Sequence, residues 1–241
     1  MLTVRRAAIA AMLVLGAGGR ADAQLPSVQQ VYDKYATAVG GRDAWAQVTD
    51  RAEKGTANIT FANLTGSYDR YNSAPSKMRM IIDLGVGKVE QGSDGVVVWS
   101  AQPDGSVTRM ATTDELHAVE ANANLMGAAF LDPTRFAKVA VVAMEDFDGV
   151  SCYKVAITTK AGRERTDYFE VATGLRRAQV VQTPAGEQKT VFRDYKAFEN
   201  KMVTTTQVLT NAQGDIILTV ASVTFTKNDP KLFELPAGIA K

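Results

Sequence analysis

From residue 53 to residue 226 the chain is a succession of short segments of strand character separated by tight turns, interrupted by a single long stretch, residues 112–139, whose apolar spacing is helical. That alternation of two periods limits the fold more than any other feature. In Lys77-Met78-Arg79-Met80-Ile81-Ile82-Asp83 the two-residue period places Met78, Met80 and Ile82 on one face and Lys77, Arg79 and Asp83 on the other. Ser93-Asp94-Gly95 and Gln102-Pro103-Asp104-Gly105 are hairpin signals, and Val97 and Trp99 share a face of the strand between them. Seven further runs follow residue 139, divided by Asp148-Gly149, Ala161-Gly162, Thr173-Gly174, Pro184-Ala185-Gly186, Asn200-Lys201 and residues 211–214. Regular spacing with short turns predicts a sequential antiparallel meander, and a sheet of about twelve strands curls into a barrel or half-barrel rather than staying flat.

Helices are expected at two places. Ser27 caps a helix carrying Val28, Val31, Tyr32, Tyr35 and Val39 on one side, and Gly40-Gly41 ends it before a short turn with Trp45. In the interrupting stretch, Thr113 is the expected cap. Leu116, Val119, Ala123, Met126 and Phe130 form an apolar stripe, and Asp132-Pro133 restarts the pattern toward Phe136 and Val139. The fold class is therefore α+β, mainly β with a helical cap. The apolar set of Met, Phe and Trp on sheet and helices either fills an ordinary core or lines a cavity, since methionine suits both.

Residues 1–23 read as a secretory signal peptide: Arg5-Arg6, an apolar run from 7 to 18 too short to span a bilayer, and Ala21-Asp22-Ala23 before Gln24. The paired arginines also raise twin-arginine export, although Ala7 and Ala8 lack the usual apolar and basic character after them. Residues 24–241 are expected to form one domain. No later segment is apolar for long enough to cross a membrane, and Gln24 stands where a lipid anchor needs Cys. Cys152 is the one cysteine and is expected to be a small buried hydrophobe.

Chemistry-bearing constellations are sparse. The formal net charge is +1, and Lys and Arg are scattered, which argues against nucleic acid. His117 is the single histidine and is placed on the lid surface. Glu145, Asp146 and Asp148 end a strand without the spacing that wraps a cation, and Gly85-Val86-Gly87 is a turn between strands rather than a phosphate cradle. The sequons at Asn58 and Asn63 are discounted in a bacterial export context. The expectation is no catalytic residue, metal or cofactor.

Pro75-Ser76-Lys77-Met78-Arg79 and Ser93-Asp94-Gly95-Val96-Val97-Val98-Trp99 resemble the P-x-K-x-R strand and S-D-G-x-x-x-W hairpin of the periplasmic lipoprotein carriers that sort outer-membrane lipoproteins. Thr173-Gly174-Leu175-Arg176-Arg177 and the closing segment Asp229-Pro230-Lys231-Leu232-Phe233-Glu234-Leu235-Pro236 are similar to that family's later motifs. The resemblance implies an unclosed β-barrel whose concave apolar face is covered by helices, acting as a soluble periplasmic carrier or binding protein for lipoprotein acyl chains or another hydrophobic ligand, with membrane-bound envelope proteins as further partners. Met78, Met80, Ile82, Val97 and Trp99 are then the cavity floor, and Leu116, Met126, Phe130 and Phe136 the lid. The alternative is a non-catalytic envelope interaction or sensor module of the same fold with a filled core. One departure stands out: the carriers place a lid-latching arginine directly before the proline, where this chain has Ala74.

Overall fold

The computed structural model describes residues 24–125, 132–183 and 186–239. The expected signal peptide and the lid residues Met126 and Phe130 lie outside them. Thirteen antiparallel strands form one sheet: β1 (Asp50–Ile59), β2 (Leu64–Ser73), β3 (Lys77–Asp83), β4 (Lys88–Ser93), β5 (Val98–Ala101), β6 (Val107–Arg109), β7 (Lys138–Phe147), β8 (Val150–Thr158), β9 (Glu164–Glu170), β10 (Arg176–Thr183), β11 (Gly186–Phe198), β12 (Lys201–Asn211) and β13 (Gly214–Thr224). The order across the sheet is β6-β5-β4-β3-β2-β1-β13-β12-β11-β10-β9-β8-β7. It is two meanders rather than the single sequential one expected. The last strand pairs with the first in the middle, from Ala52 opposite Thr224 to Ile59 opposite Ile216, and the edges are β6 and β7. The sheet is not closed into a barrel.

The helices account for that topology. After β6 the chain must cross from one edge of the sheet to the other, and α3 (Thr112–Leu125) begins the crossing; 14 residues at about 1.5 Å each span roughly 21 Å. Its first turn includes Thr113, expected as the cap one residue before. The restart at Asp132-Pro133 is one 3₁₀ turn, Pro133–Arg135, with the Asp132 carboxylate accepting the Thr134 N–H at 2.9 Å. At the N-terminus, α1 (Val28–Ala38) has a reciprocal capping box between Ser27 and Gln30. It stops at Gly40, whose φ of 111° suits glycine and whose missing Cβ would stand 2.2 Å from the Asn200 carbonyl oxygen. The short α2 (Arg42–Ala46) follows, with the Trp45 indole donating to the Val39 carbonyl at 2.8 Å.

The core lies between α1, α2 and one face of the sheet. Val39, Trp45, Ala57, Tyr68, Ile82, Val203, Leu218 and Val220 form its larger cluster, and Val31, Tyr32, Phe136, Val155, Ile157 and Phe169 the second. Tyr32 and Tyr35 both pack on the Phe169 ring, at centroid distances of 5.8 and 5.5 Å. Cys152 is buried in a separate small cluster with Tyr168 and Ala178. No helix among the described residues is long and apolar enough to cross a membrane.

Candidate functional site

Between the helices and the helix-covered, concave face of the sheet lies a cavity of about 290 Å³. Strand register identifies what faces it. Arg51 pairs with Asn72 and Glu53 with Arg70, so all four side chains share one face of β1 and β2; across the sheet, Arg165, Arg176 and Gln179 line the same space. Tyr35 and Trp45 enter from α1 and α2, and Ala121 and Asn122 from α3.

The lining is charged. Asp167 is 0% exposed and bridges two guanidiniums, Arg176 at 2.9 Å and Arg165 at 3.2 Å. Glu53, also buried, pairs with Arg51 and accepts the Tyr68 hydroxyl at 3.1 Å. Aromatic rings stack on both guanidiniums of the Asp167 set: Arg176 lies 4.4 Å from the Phe192 ring centroid and Arg165 5.3 Å from that of Phe136. Burial pulls the Arg165 guanidinium below its ordinary value and holds the phenols of Tyr35 and Tyr195 above theirs, so both remain hydroxyls at neutral pH. Buried ions persist only when paired and hydrogen-bonded, and here three guanidiniums share two carboxylates while the fourth, Arg70, ion-pairs with neither.

The expected site residues do not converge. Met78, Met80 and Ile82 do share the concave face, opposite Asn72, Arg70 and Tyr68 of β2, and the Arg70 guanidinium reaches the Met80 sulfur at 3.9 Å. Trp99 lies on the other face. It pairs with Gly92, which pairs with Arg79, and the Arg79 guanidinium sits 4.5 Å from its ring centroid. It is 1% exposed because that convex pile covers it, and it contributes nothing to a concave floor. Ser93 pairs with Val98, so the four-residue connection sets the phase of β5 one step away from the one expected. Val97 is buried in that connection. On α3, Leu116 is 60% exposed, whereas Glu115 and Asn122 are buried. The helix is turned by about one residue from its apolar stripe because Glu115 accepts the Val98 N–H at 3.1 Å and pairs with Arg109 at 2.8 Å. Phe136 is buried, in the cluster under α1 rather than with the methionines.

The polar residues of the cavity escaped the sequence reading because arginines scattered along the chain converge only after folding. A signal was present nonetheless. With Tyr68 facing inward, the two-residue period carries Arg70 and Asn72 inward with it, and Arg51-x-Glu53 and Arg165-x-Asp167 repeat the same spacing of opposite charges on one strand face.

An open antiparallel sheet whose concave face is covered by an N-terminal helix and a helix bridging the edges defines the class of half-open-barrel folds. The chain is similar in fold to a LolA superfamily protein from Nitrosomonas europaea, at 12% identity over 88% of this chain and 99% of that one, with a TM-score of 0.58. A DUF1329 family protein from Desulfovibrio piger is similar to the same degree, at 15% identity over 86% and 97% of the two chains, with a TM-score of 0.57. No family model and no curated protein matches the sequence. The half-open barrel that the short motifs implied is thus the fold of this chain.

Proposed function

We propose that this chain is a soluble periplasmic binding or carrier protein that holds an acylated or otherwise hydrophobic ligand between the concave sheet and its helices, without making or breaking bonds. Residues 1–23 act as a cleaved export signal and residues 24–241 as one domain. The observation that carries the reading is the cavity of about 290 Å³ under α1, α2 and α3, continuous in face with Met78, Met80 and Ile82. Its volume stands at the lower end of small-molecule sites, which run from about 300 Å³ upward. Each buried methylene contributes about 0.8 kcal/mol, offset by the cost of moving the lid. Native mass spectrometry of protein extracted gently from the periplasm, with titration of fluorescent fatty acids and lipopeptides, tests it. A co-purified acyl ligand is the expected result; protein that arrives empty and ignores every probe overturns it.

A second reading has its own support. The two apolar clusters fill much of the concave face beneath α1 and α2, as they would in an envelope interaction module with a filled core. That module predicts empty protein in the same experiment.

A further inference from the structure

The cavity is not lined as an acyl-chain tunnel would be. Arg51, Arg70, Arg165 and Arg176 face it, and the carboxylates within reach are Glu53 and Asp167. Arg70 makes no ion pair among the described residues, its Nε is buried without a hydrogen-bond partner, and its one hydrogen bond is the long contact to the Met80 sulfur. Two amides point the same way. Asn72, 2% exposed, and Asn122, 6% exposed, line the cavity, and the side-chain nitrogen of each has no acceptor. A buried donor left unsatisfied costs about 1–3 kcal/mol. Three donors from β2 and α3, none of which has an oxygen acceptor, therefore face a space that carries an excess of two positive charges.

We infer that this cavity is an oxyanion site, built to take the carboxylate or phosphate head of an amphiphile, with Arg70 as its principal ligand and Asn72 and Asn122 as neutral donors. The planar guanidinium matches either anion through paired N–H donors, which an ammonium group would not. Arg165 and Arg176 supply field rather than direct contact, since Asp167 already holds both. The apolar part of the ligand lies along Met78, Met80 and Ile82, which continue the same face from β2 to β3. Placing the anion rests on the binding reading above, and it reverses the expected orientation, in which only hydrocarbon enters the concavity.

The test is calorimetric titration of the mature chain with decanoate, decyl phosphate, decanol, decyltrimethylammonium and inorganic phosphate, repeated with Arg70→Gln and Arg70→Lys. Decanoate and decyl phosphate are expected to bind at least tenfold more tightly than decanol, and decyltrimethylammonium more weakly still. Arg70→Gln is expected to remove that tenfold preference with decanol still bound, a result that a misfolded variant would not give, and Arg70→Lys to retain part of it. Decanol and decyltrimethylammonium binding as well as decanoate, in wild type and variants alike, overturns the anion site and leaves the carrier reading standing. Inorganic phosphate binding in an Arg70-dependent way without any decyl compound upholds the site and removes the hydrophobic ligand. If none of the five binds, both fall.

Discussion

Charge and bulk are divided between the two faces at the level of single side chains. Arg70 and Met80 meet on the concave side of β2 and β3, while one residue along β3 the Arg79 guanidinium turns outward to cover Trp99 and pairs with Glu90. Gly92 makes that pile possible, because a Cβ there would come within 2.4 Å of the Trp99 ring. Trp99→Ala is therefore a packing change on the face opposite the cavity. Its expected cost is about 3–5 kcal/mol in urea unfolding, with acyl-probe affinity in the folded variant unchanged; a fall in affinity at full stability would return Trp99 to the site. The alternation within β3 was legible in the sequence, and so was the burial of Trp99. Which faces of β3 and β5 coincide was not, because a period of two fixes the phase within a strand, and the phase between strands depends on the number of residues in the turn.

Elements differ in how well they announced themselves for the same kind of reason. The α1 helix has a reciprocal cap, a terminating glycine and an apolar face with a covered partner, and its boundaries follow from the sequence. The α3 helix has a weak apolar stripe, so a polar residue sets its rotation instead. Glu115 takes the unpaired Val98 N–H and the Arg109 guanidinium, and the Arg109 hydrogen bond, ahead of the Val98 N–H, holds its carboxyl below the ordinary value against the opposing effect of burial. A group whose pKa is depressed on folding adds stability that is full above its unfolded value, about 4.3, and that is lost as pH falls through the folded value. Hydrogen exchange between about pH 5 and about pH 3 should then show residues 112–125 losing protection before the central β1, β2 and β13 do. In Glu115→Gln the same loosening should already be present at neutral pH and should not vary with acid. Equal protection of α3 at both pH values would show that the ion pair does not anchor it.

At the scale of the whole molecule, the two-meander order leaves β6 and β7 as open edges, and α3 ties their neighbourhoods together. Near its start it is fastened to β5 and β6 through Glu115. One turn further on, the two carboxylate oxygens of Glu120 accept the backbone N–H groups of Lys160 and Ala161, at 2.7 and 2.9 Å, in the turn between β8 and β9, and Asp114 pairs with Arg163 at 3.4 Å. A carboxylate clasp thus fastens α3 to the far turn, and Ala74 donates its backbone N–H to the Thr49 carbonyl at 2.7 Å. The Glu120 clasp sits toward the surface, where solvent screening reduces a charged contact to about 1 kcal/mol or less, so its loss should free α3 without unfolding the sheet. Glu120→Ala is expected to lower the unfolding free energy measured in urea by no more than that amount. It should also abolish the slow exchange of the Lys160 and Ala161 amides and release a bound fluorescent fatty acid up to about fivefold faster in stopped flow. Release at the wild-type rate, with the amides fully exposed, would mean that ligand leaves by a path that α3 does not gate, and the opening would then have to lie on the α1 and α2 side of the concavity.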